Sequence, residues 1–65
     1  MNIDEFLISE GFKSIEHRGS TDRYVKDNIT IEVPYIKIIV DNKPTHMLAP
    51  YRIMRLEEII DEIAK

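Results

Sequence analysis

Between Ile29 and Val40 the apolar residues alternate with period two and change phase once, at a proline. Ile29, Ile31 and Val33 occupy odd positions, with Thr30 and Glu32 between them, whereas beyond Pro34 the series runs Ile36, Ile38, Val40. Period two places alternate side chains on opposite faces of a strand, so each run predicts a half-buried β-strand. Proline donates no ladder hydrogen bond, and a one-residue change of phase beside it predicts a bulge, an edge or a tight turn. Upstream, Asp27-Asn28 separates Ile29–Val33 from Arg23-Tyr24-Val25-Lys26. Both residue types tolerate positive φ, which predicts a two-residue hairpin.

The flanks read as helix. Asn2 is placed to cap, and Glu5 stands three residues on. Ile3, Phe6 and Leu7 then make an apolar face, and Gly11 is a left-handed stop with Phe12 folding back on the last turn, so a helix is expected over about 3–10. At the other end Pro50 suits a first helical position, and Ile53, Leu56, Ile59, Ile60 and Ile63 form a stripe at helical spacing. Arg55 and Glu58 lie outside that stripe. Phe12–His17 alternates imperfectly, Arg18–Asp22 is a loop by composition, Asp41-Asn42-Lys43-Pro44 is a turn, and Thr45–Leu48 is a candidate last strand. The expected fold is a single α+β domain over 1–65: an N-terminal helix, an antiparallel β-meander of three to five strands and a C-terminal helix.

With 65 residues and no cysteine, disulfides, cysteine zinc sites and thiol nucleophiles are excluded, and apolar packing alone must hold the chain together. Burying a second surface against another copy would help so small a core, so a homodimer is among the expectations. No apolar run reaches the roughly 18 residues of a membrane span and no basic-then-apolar leader opens the chain, so a cytoplasmic protein without a membrane partner is expected. Twelve isoleucines suit strands and also an AT-rich bacterial or phage coding sequence. The net charge of −3 is unevenly spread. Residues 1–11 carry three acids and no base, 55–65 carry four acids against Arg55 and Lys65, and 12–54 carry seven bases against five acids.

Several groupings invite a chemical reading. His17, Ser20 and Asp22 have the residue types of a nucleophilic triad, but triads are defined in three dimensions, and the plain reading is a polar loop. Arg18-Gly19-Ser20-Thr21 is able to offer backbone N–H groups to an anion, yet it lacks the lysine, second glycine and following helix of a phosphate-binding loop. A metal site would require His17, His46 and Asp41 to converge, and no spacing demands it. No catalytic residue, metal ligand or cofactor is assigned. The basic residues Lys13, Arg18, Arg23, Lys26 and Lys37 are candidate nucleic-acid contacts, with tyrosines to stack on bases. Tyr24, Tyr35 and Tyr51, together with Met47 and Met54, are candidate interface residues.

The order helix, Gly11-Phe12, strand, Arg18-Gly19-Ser20, strand, Ile29–Pro34, terminal helix resembles the HicA-type mRNA interferase toxins, across roughly residues 3–34 and the general character of 53–64. That resemblance implies a double-stranded-RNA-binding-domain-like αβββα fold in a small bacterial RNA-acting protein. In the family a catalytic histidine follows the Gly-Ser pair, and here the position is Thr21, whose hydroxyl is no acid or base near neutral pH. The function expected from the residues is therefore a non-catalytic protein-binding module, a bacterial or phage regulator or inhibitor. The alternative is a HicA-like RNA-binding protein or interferase, with RNA or DNA as partner.

Overall fold

A computed structural model describes residues 2–49 and 53–63. Helix α1 (Ile3–Ser9) is followed by strands β1 (Lys13–Arg18), β2 (Thr21–Lys26), β3 (Ile29–Val33), β4 (Ile36–Val40) and β5 (Lys43–Leu48), and by helix α2 (Ile53–Ile63). The strands form one antiparallel sheet in chain order, a five-stranded meander, so the α+β class and the helix–meander–helix order expected from the pattern are what the chain adopts.

Local chemistry sets the element ends. Asn2 caps α1 reciprocally: its Oδ1 accepts from the Glu5 backbone N–H at 2.8 Å, and its Nδ2 donates to Glu5 Oε1 at 3.3 Å. Gly11 takes φ 92°, and the Phe12 N–H closes on the Leu7 carbonyl at 3.0 Å, which turns the chain off the helix and buries the Phe12 ring. Every connection between strands is two residues long. Asp27 (φ 52°) turns β2 into β3, and Asp41 and Asn42 (φ 52° and 65°) turn β4 into β5 with both central residues left-handed, the combination that matches strand twist. Those two turns lie at the same end of the sheet and are tied together, the Asp41 N–H donating to the Asn28 carbonyl at 3.0 Å and Asn28 Nδ2 to Asp41 Oδ1 at 2.8 Å.

Three expectations are refined. The Arg18–Asp22 loop is only the turn Gly19-Ser20, because Arg18 pairs with Thr21 and His17 with Asp22 in the ladder. Lys43 and Pro44 belong to β5, where proline is tolerated because the strand is an edge. Of the alternatives at Pro34, the chain takes the turn. The Val33–Pro34 peptide is cis, and Pro34-Tyr35 reverses β3 into β4, so Val33 and Ile36 flank the reversal on the same face. The start of the second helix expected at Pro50 lies outside the described residues.

Both helices cover one face of the sheet. Tyr24, Ile29, Ile31, Val33, Ile36 and Ile38 form a single buried cluster with Phe6, Leu7 and Phe12 from the N-terminal side and Leu56, Ile59 and Ile60 from α2. Each of these side chains contributes about 1.5–3 kcal/mol through burial, which is what a chain without covalent staples depends on. The opposite face carries no layer among the described residues.

Candidate functional site

The strand register fixes what that bare face displays. Glu16 on β1 stands opposite Arg23 on β2, Arg23 opposite Glu32 on β3, Glu32 opposite Lys37 on β4, and Lys37 opposite Met47 on β5. One row of side chains thus crosses the whole sheet with charges −, +, −, + and then a thioether. Arg23 holds the row together. Its Nη1 lies 3.0 Å from Glu16 Oε2, and its Nη2 and Nε donate to Glu32 Oε2 at 2.7 and 3.1 Å. Arg18 adds a second contact to Glu16 at 3.2 Å. A fork-shaped guanidinium between two carboxylates keeps the row in one arrangement.

Toward the Gly19-Ser20 and Pro34-Tyr35 turns this face is concave. A shallow depression of about 270 Å³ is lined by Glu16, Arg18, Thr21, Arg23 and Glu32. It continues through Thr21 and Glu32 into a second one bordered by Pro34, Tyr35, Lys37 and Met47. Tyr35 is 68% exposed and Met47 73%. Large apolar groups displayed beside ordered charge are the composition of a contact surface. In the next row Val25, Thr30 and Ile39 are half-buried.

The residues singled out in the sequence separate by face. Arg18, Arg23 and Lys37 come together on the open face, and Lys13 joins them opposite Val25. Lys26 does not: on the helix side its ammonium donates to the Glu10 carbonyl at 2.8 Å and stands 5.9 Å from the centre of the Phe12 ring. Tyr24 has no surface to offer a partner, being 2% exposed in the core with its hydroxyl on Asp4. Burial above all, then the hydrogen bond to Asp4 and the negative charges of Asp4 and Asp22, hold that phenol above its ordinary range. Tyr35 is on the open face, and Tyr51 lies outside the described residues. Glu16 and Glu32 did not stand out in the chain; only the cross-strand register reveals that they punctuate the bases.

The candidate catalytic groupings are dispersed. His17 Nδ1 contacts Asp22 Oδ1 across the β1–β2 hairpin, whereas Ser20 sits exposed in the turn with no hydrogen bond to either. Gly19 has φ 60° in that turn, and a strand follows it in place of the helix an anion loop requires. His46 lies on β5, at the far edge of the sheet from His17, and its Nδ1 contacts Thr45 Oγ1 at 2.9 Å. Among the described residues no three histidine or carboxylate side chains are grouped to hold a metal ion. No described helix is long and apolar enough to cross a membrane.

Fold and site together define a class: a small α+β domain with both helices on one side of a meander and an ordered, charged sheet face on the other. No family model, curated protein or solved structure matches the chain.

Proposed function

We propose that this chain is a non-catalytic protein-binding module, of the regulator or inhibitor kind, which engages its partner through the open face of the sheet. The observation that carries the reading is that face: a row of charges ordered by Arg23 beside exposed Tyr35 and Met47, with no layer over it among the described residues. The strand edges offer less. Ile15 bulges out of β1 between Ser14 and Glu16, and β5 carries Pro44 and a second irregularity opposite Ile38 and Ile39. Bulges and edge prolines block addition of a further strand, so a face-on contact is favoured over β-augmentation.

The test is capture by the tagged chain from host lysate, comparing Arg23→Glu and Met47→Asp with Glu57→Lys on exposed α2. The expected result is a stoichiometric protein that survives nuclease, lost with both sheet variants and kept with the helix variant. Equal recovery by all three would defeat the reading. A second reading, HicA-like binding of RNA, draws support from Arg18, Arg23, Lys37 and Tyr35 sharing one face. Glu16 and Glu32 interleave with those bases and oppose a phosphate backbone. On this reading the captured species is nucleic acid, released steeply as salt is raised.

A further inference from the structure

We infer that the open face pairs with the open face of a second copy of this chain, about a two-fold axis parallel to the strands and centred between β2 and β3. The inference rests on the open face being the binding surface, and it names the partner. It starts from the order of charges in the row, Glu16, Arg23, Glu32, Lys37, one on each of four neighbouring strands. With strands about 4.8 Å apart the row spans about 14 Å.

A two-fold dimer must satisfy itself, since each residue meets what the symmetry lays over it. Face-to-face sheets have two simple choices of axis in the plane between them. An axis perpendicular to the strands keeps the order of the row, and it lays Glu16 on Glu16 and Arg23 on Arg23. An axis parallel to the strands reverses the order. Centred between β2 and β3, it sets Glu16 against Lys37 of the second copy and Arg23 against Glu32, four opposed pairs in all.

Moving that axis onto β2 brings Glu16 over Glu32, and moving it onto β3 brings Arg23 over Lys37. The charges therefore select one axis direction and one lateral register. The same operation lays β1 over β4 of the second copy, which brings Arg18, whose side chain is 87% exposed, to the level of exposed Tyr35. A guanidinium over a phenol ring is a favourable contact in its own right.

The overlap is small. Four strands of about five residues cover roughly 300 Å² in projection, well below the about 800 Å² per partner of a standard interface, so the pair is weak and dissociates on dilution.

Sedimentation equilibrium of the full chain at low salt, from about 10 μM to 1 mM, tests this, with circular dichroism to verify folding of each variant. The wild-type mass should rise from monomer toward dimer across that range. R23E and E32R each place like charges face to face twice and should weaken pairing by more than about tenfold. A one-to-one mixture of R23E with E32R restores both attractions between unlike chains, as the doubly exchanged R23E/E32R chain does within one species, and each should dimerise as wild type does. Should either single variant fail to fold, Glu16→Lys and Lys37→Glu supply an outer pair with the same logic. A wild-type chain that stays monomeric to 1 mM overturns the inference, as does a mixture of folded single variants that fails to associate. A monomeric wild type whose sheet variants still lose a captured protein overturns self-pairing alone. Dimerisation with no loss of capture by those variants shows that the captured protein does not use the open face and leaves the pair standing.

Discussion

The hydroxyl of Tyr24, in the middle of β2, donates a hydrogen bond to the carboxylate of Asp4 in the first turn of α1. It is a polar tether between the helix layer and the strands within an otherwise apolar core. Tyr24→Phe removes the bond and its donor together and should cost about 1–2 kcal/mol in urea unfolding. Asp4→Ala leaves the phenol buried without an acceptor and should cost at least as much.

The same tether gives the protein an alkaline limit. The folded state holds the Tyr24 phenol above its ordinary range, so the unfolded chain releases that proton first as pH rises. The stabilisation is fully present below the unfolded value of about 10 and is lost as pH climbs from there toward the folded value, at up to about 1.4 kcal/mol per pH unit. Denaturant midpoints measured from pH 8 to 11.5 should fall more steeply for wild type than for Tyr24→Phe. Parallel curves would show that Tyr24 does not set the slope.

Ile31 is fully buried at the middle of the central strand. A 65-residue domain has only about 3–10 kcal/mol of total stability, and truncating a core isoleucine to alanine removes about 2–5. Ile31→Ala should therefore lose about half of the total stability in urea unfolding, whereas Ile31→Val should lose only about 1 kcal/mol.

The Asp41-Asn42 turn should discriminate sharply between substitutions. Asn42 sits at φ 65°, where glycine is at ease and a β-branched residue is strained. Asn42→Gly should match or slightly exceed wild type in thermal stability, and Asn42→Val should lose about 1–3 kcal/mol. Equal melting temperatures for the two would contradict the turn geometry.

Elements whose residues report on themselves were legible in the chain. Asn2, Glu5 and Gly11 announce α1, the Ile29–Val33 alternation announces β3, and the Leu56–Ile60 stripe announces α2, because capping and burial depend on residue type at fixed spacing. β1 was harder, since no residue of this edge strand is buried and no period-two signal survives. Thr21 and Asp22 read as loop for a related reason. Their strand character lies in backbone pairing with Arg18 and His17, which side-chain chemistry does not encode. The site was half visible: the bases stood out as a class, but the carboxylates between them gain meaning only when register sets Glu16 and Glu32 beside Arg23, and Lys26 departs because it lies on the other face.

The bulge at Ile15 and the proline at position 44 have a consequence for crowded conditions. A molecule whose lateral borders refuse a newcomer cannot be extended strand by strand into a fibre, however concentrated it becomes. On the proposed pairing, association is left to the open face of the sheet, and a face satisfied by one mate is used up. Growth by that pairing would stop at two, leaving a finite particle rather than an open-ended polymer at high local abundance.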